Sequence, residues 1–112
     1  MSKPNADDMS FVIACSHQKS YDLLCQKNYL EADVCFITSP NSLSADTSIV
    51  ILDQSALKQF SLLHWQAVCS EAIFIVEHPI DNENCILVPA GMPQVFLRNA
   101  IVTALSQLTT QQ

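Results

Sequence analysis

A chain of 112 residues with 49% hydrophobic side chains suits one domain with a packed core. Eleven acidic against five basic residues leave a formal charge of −6, and Lys3, Lys19, Lys27, Lys58 and Arg98 are scattered, which excludes a nucleic-acid surface built on clustered cations. The single glycine, Gly91, excludes the glycine-rich loops whose backbone N–H groups close on a nucleotide's phosphates. In chain order, residues 1–9 are polar and carry Asp7 and Asp8; they are expected to be disordered ahead of a domain spanning 10–112. Residues 11–15 form a short apolar, β-branched run that predicts a buried strand. Residues 16–29 change to helical spacing, with Tyr21, Leu24, Cys25 and Asn28 on one stripe.

Residues 32–37 predict a second strand, ended by the turn residues Ser39, Pro40, Asn41 and Ser42, which leave room for about one helical turn before Ser48. Residues 49–52 are the strongest strand signal in the chain, and that strand stops at Asp53. Ser55 is placed to cap a helix whose apolar face runs through Leu57, Phe60, Leu63, His64, Ala67 and Val68. Residues 73–76 are again wholly apolar. The pair His78-Pro79 breaks that run, and 85–88 follow as a short strand into Pro89. Pro93 suits the first turn of a last helix lined by Leu97, Ala100, Ile101, Ala104, Leu105 and Leu108.

Fully apolar strands alternating with helices imply a parallel sheet covered on both faces. Five strands in about 80 residues predict a three-layer, flavodoxin-like α/β sandwich with strand order 2-1-3-4-5. The carboxyl ends of strands 1, 3 and 4 then converge on a crevice holding Cys15, Ser16, Asp53, Glu77 and His78. Only eight residues, 77–84, separate Val76 from Cys85, so a helix between strands 4 and 5 is expected to be missing or shortened.

The five cysteines, Cys15, Cys25, Cys35, Cys69 and Cys85, are never closer than ten residues, so neither a zinc site nor a dithiol motif is formed by spacing. Four of the five sit in or beside apolar runs, where they are expected to serve as small buried hydrophobes, and reduced thiols suggest the cytoplasm. His17, His64 and His78 have no ligand spacing, and no metal or cofactor is expected. No apolar run approaches the roughly 18 residues of a membrane helix, and no membrane partner is expected.

With these elements in order, the chain resembles a response-regulator receiver domain over nearly its whole length. The resemblance rests on Ile49, Val50, Ile51, Leu52 and Asp53, which are similar to the third strand and its phosphoacceptor aspartate. It rests also on Ile86, Leu87, Val88 and Pro89 ahead of a final helix, which look like the last strand and its Lys-Pro step. The resemblance implies an acidic pair after strand 1 for Mg²⁺, a Ser or Thr ending strand 4, and a lysine ending strand 5. Those places hold Cys15 and Ser16, then Glu77, then Val88. Only the acceptor remains, and charge developing on a phosphoryl group would meet no counter-charge. The expectation is a degenerate, non-catalytic pseudo-receiver, signalling by protein–protein contact as the N-terminal part of a larger regulator or as a small stand-alone protein.

Two alternatives keep chemistry in the fold: Asp53 as a phosphoacceptor of the receiver type, or Cys15 in the manner of the phosphocysteine of sugar-phosphotransferase IIB domains. Asp53 can equally cap the structure that follows it, with no chemistry at all. Glu77 and His78 are expected to be solvated loop charges. On the last helix Val95, Phe96 and Val102 fall outside the core stripe, and they mark a candidate face for a protein partner or a second copy of the chain.

Overall fold

A computed structural model describes residues 11–27, 33–77 and 85–110, so the expected disorder of 1–9 and the expected loss of a helix in 77–84 lie, Glu77 apart, outside it. The chain runs β1 (Val12–Cys15), α1 (Gln18–Lys27), β2 (Asp33–Phe36), a 3-10 turn (Pro40–Ser42), β3 (Ile49–Leu52), α2 (Gln54–Gln59), α3 (Leu62–Val68), β4 (Ile73–Glu77), β5 (Cys85–Val88) and α4 (Gln94–Thr110). All five strands are parallel, in the order β2-β1-β3-β4-β5, as a flavodoxin-like sandwich requires.

Side chains alternate between the two faces of a strand, and here both faces are covered. Ile13 and Cys15, Ile49 and Ile51, and Ile73 and Ile75 pack with Leu24 of α1 and with Leu97, Ala100, Ile101 and Ala104 of α4. The residues between them, Ala14, Val50, Leu52, Phe74 and Val76, meet Leu43, Ala56 and Trp65 on the opposite side. This two-sided burial is why the central strands read as unbroken apolar runs. It also holds the carboxyl ends of β1, β3 and β4 side by side, where the crevice lies.

Several expectations are corrected. The segment after Asp53 is two short helices, not one. Phe60 leaves helical geometry at φ −139° and ψ 131°, and Ser61 starts a new helix by accepting the His64 N–H. The cap of α2 is Asp53, not Ser55, which is exposed. The break rotates α3, so Leu63 is 78% exposed and the buried anchor is Trp65, whose Nε1 donates to the Ala56 carbonyl at 3.4 Å. Phe60 closes the edge of the indole with a ring separation of 6.0 Å. On α1 the buried residues are Ser20 and Leu24, while Cys25 is exposed. β2 is an edge strand whose Asp33, Cys35 and Phe36 are exposed, so burial as small hydrophobes holds for Cys15 and Cys69 and fails for Cys25 and Cys35. The 3-10 turn stands where the sequence leaves space for one helical turn.

Because Ser61 is the residue that restarts the helix beneath Trp65, Ser61→Ala is expected to lower stability by about 1 kcal/mol. A urea titration followed by the fluorescence of the lone tryptophan measures this as a fall in midpoint at unchanged slope.

Candidate functional site

The crevice begins at Ser16, the first residue past β1. Its backbone N–H donates to the Ile51 carbonyl at 3.0 Å, which fixes it against the end of β3. From there Ser16 Oγ–H donates to Asp53 Oδ1 at 2.9 Å, and the same oxygen accepts the Asp53 N–H at 3.0 Å. Asp53 Oδ1 also accepts the Ala56 N–H at 3.1 Å, the bond that caps α2. Asp53 has extended backbone, φ −90° and ψ 178°, as a cap requires. The aspartate that resembles a phosphoacceptor is therefore already held on two sides by the protein's own hydroxyl and amide.

Glu77 overturns its expected place as a solvated loop charge. It is the last residue of β4 and is only 8% exposed. One carboxylate oxygen accepts the Gln54 N–H at 2.8 Å, and the other accepts the Gly91 N–H. Hydrogen bonds from backbone amides to a carboxylate are charge-assisted, and they offset the desolvation of a buried anion. Glu77 thus joins the start of α2 to the turn after β5. His78, the other half of that pair, lies outside the described residues.

The remaining positions are as follows. Val88 is 2% exposed and belongs to the core beneath α1 and α4, so its side chain is packing. Pro89 is half-buried, and its carbonyl accepts the Met92 N–H at 3.0 Å, closing a turn. Gly91 takes φ 87° in that turn, a left-handed conformation that costs a glycine nothing and that matches the third position of a type II turn. Met92 follows at φ 50° and is buried, with Sδ 3.7 Å from the Ser20 hydroxyl. Val95, Phe96 and Val102 are 67%, 51% and 56% exposed on α4, apart from the crevice.

Beside Asp53 lies a shallow hollow of about 90 Å³ lined by Ser16, Ile37, Thr38, Asp53, Ser55, Ala56 and Gln59. Sequence reasoning missed Thr38, although its place two residues past β2 puts it at the same end of the sheet. Sequence reasoning likewise had Ser55 as a cap, where it lines the hollow.

A receiver's Mg²⁺ would need hard oxygen ligands at this end of the sheet. The residues present do not fit that ion: the acidic pair is replaced by a thiol and a hydroxyl, the Ser16 hydroxyl is bonded to Asp53, and both Glu77 oxygens accept backbone amides. Among the described residues no three His, Cys, Asp or Glu side chains gather as ligands.

Cys15 is fully buried, and its Sγ–H points at the His17 carbonyl 3.4 Å away. Burial, opposed by the His17 backbone and aided by the Asp53 charge, pushes its thiol up to about 12. A thiol protonated at neutral pH is a poor nucleophile. The thiol of Cys85 is raised by burial as well.

Because the folded state holds the Cys15 thiol protonated up to about pH 12 while the unfolded chain loses the proton near pH 9.0, this group's stabilising contribution is whole below pH 9 and is lost as the pH rises toward 12. Denaturation midpoints should therefore fall more steeply over that alkaline range in the parent chain than in Cys15→Ala. Parallel slopes would contradict the assignment. No family model, curated protein or solved structure matches this chain, and what supports a function is the crevice itself.

Proposed function

We propose that the chain is a receiver-like regulatory domain that carries out no phosphoryl chemistry and acts by protein–protein contact. One observation carries this reading: the acidic group at the end of β3 is a helix cap bonded to Ser16, and a second carboxylate, Glu77, is buried at the end of β4. A phosphoryl group placed on Asp53 would turn a carboxylate of one negative charge into an acyl phosphate of roughly two, at the same end of the sheet as the Glu77 carboxylate, and would meet no lysine at Val88. Like charges a few ångströms apart repel by about 1–4 kcal/mol near a protein surface.

Output through α4 is supported by its composition. The helix spends one stripe on the core and leaves Val95, Phe96 and Val102 open. Large apolar side chains gathered on one helix are what a partner's surface would cover. A second copy of the chain is the simplest such partner, and an effector protein is the other. Free thiols at Cys25 and Cys35 suit a reducing compartment such as the cytoplasm. No helix among the described residues is long and apolar enough to cross a membrane.

Incubation with a small phosphoryl donor such as acetyl phosphate, with and without Mg²⁺, should leave the intact mass unchanged. A phosphate-sized gain lost in Asp53→Ala would replace this reading with a working receiver, and a gain lost in Cys15→Ser would make the cysteine the acceptor. For the helix face, light scattering over a concentration series should show a dimer that survives high salt and that Val102→Glu abolishes. A monomer at every concentration removes the second copy as partner.

A further inference from the structure

We propose that Glu77 is a latch on the Pro89–Met92 turn, through which a change at Asp53 moves the start of α4. The turn contains two consecutive residues in the left-handed region, Gly91 at φ 87° and Met92 at φ 50°. The first is a glycine and is at ease there. The second is an unbranched side chain with a Cβ, for which that conformation is strained and persists only where the surroundings enforce it. Three contacts enforce it here. The Gly91 N–H is held by Glu77, the Met92 N–H by the Pro89 carbonyl, and the Met92 side chain by burial in the core beside Ser20. Two residues later α4 begins, with the Leu97 N–H donating to the Pro93 carbonyl at 2.9 Å.

The other oxygen of the same carboxylate holds Gln54, the residue next to Asp53. Asp53 and Glu77 therefore grip adjacent points of one helical turn, the first through Ala56 and the second through Gln54. A change that pulls Asp53 away from Ala56, whether loss of its charge or a ligand in the adjoining hollow, shifts Gln54. The carboxylate cannot follow Gln54 without loosening Gly91. Once Gly91 is released, Met92 can return to negative φ, and its side chain must leave the core beneath the first turns of α4. The strained turn supplies the two states, and Glu77 supplies the connection.

This deepens the proposed function by giving the crevice a route to the exposed face of α4, and it rests on that reading only for the use made of the movement. The coupling can be measured without any phosphoryl donor, so its failure and the failure of that reading are separate results.

Amide NMR on the full chain tests it. Asp53→Asn should shift the Gly91, Met92 and Leu97 amide signals, and those shifts should vanish in the Glu77→Gln background. Glu77→Gln alone should speed exchange of the Gly91 and Gln54 amides by about tenfold or more while the β3 and β4 amides keep their protection. In Met92→Gly, where the left-handed residue is relaxed, that acceleration at Gly91 should fall by about threefold or more. Should Glu77→Gln fail to fold, Glu77→Asp, one methylene short of spanning both amides, serves under the same criteria. The latch is overturned if Asp53→Asn moves only its own neighbours, or if the shifts at Gly91, Met92 and Leu97 survive unchanged without Glu77. An acceleration as large in Met92→Gly as in the parent chain removes the strained turn as its cause.

Discussion

A carboxylate buried at the end of a strand, with no cation paired to it among the described residues, must be stabilised by dipoles. Glu77 meets this constraint with two backbone amides, one at the first residue of α2 and one in the turn that leads to α4. Each amide belongs to a group that helix and strand ladders leave unpaired, since the first N–H groups of a helix have no partner within it. The anion and the orphan donors thus satisfy each other. Remove the carboxylate and two part-buried amides lose their acceptor at once, at a cost that water reaching the exposed Gly91 would reduce. The geometry of the crevice follows from this exchange. Ser16, Asp53 and Gln54 are set on one side of it, and Pro89, Gly91 and Met92 on the other.

The sheet beneath is covered unequally. The face under α1 and α4 has two full helices, of ten and seventeen residues. Among the described residues the opposite face has a 3-10 turn and two helices of six and seven residues. Connection length is a cause, because residues 37–48 are all that link β2 to β3. Parallel strands usually take a crossover of about a dozen residues or more when a helix is included. The thinner layer leaves its trace at the β2 edge, where Cys35 is exposed although it sits in an apolar run.

The strands were legible because two-sided burial demands apolar runs, and Ile49 to Leu52 could hardly be anything else. Strand order came from the general rule for five-stranded, doubly wound α/β sheets, since periodicity says nothing about which strands are neighbours. Asp53 as a cap was open in the sequence as one of two uses, and the bond to Ala56 settles the local geometry. The division of the third helix was hidden because Leu57, Phe60, His64 and Val68 still fit one helical face when no break is assumed. Ser61 could have marked it, as a hydroxyl residue three before His64 and ahead of a leucine pair. Glu77 was misplaced for a simple reason. A charged residue at the end of a strand is usually wet, and only the three-dimensional meeting of Gln54 and Gly91 makes its burial affordable.

Trp65 bears on how such a molecule is watched. The indole is wholly buried among the residues beneath α2 and α3, whereas Met92 is packed in the layer on the far side of the sheet. The chain has no other tryptophan. Its fluorescence therefore views one layer of the sandwich directly, and the turn that Glu77 holds only through α2. If the two layers loosen together, one optical signal describes the whole fold. If the layer around Met92 can open while α2 stays in place, the protein holds a partly opened form that emits light as though nothing had happened.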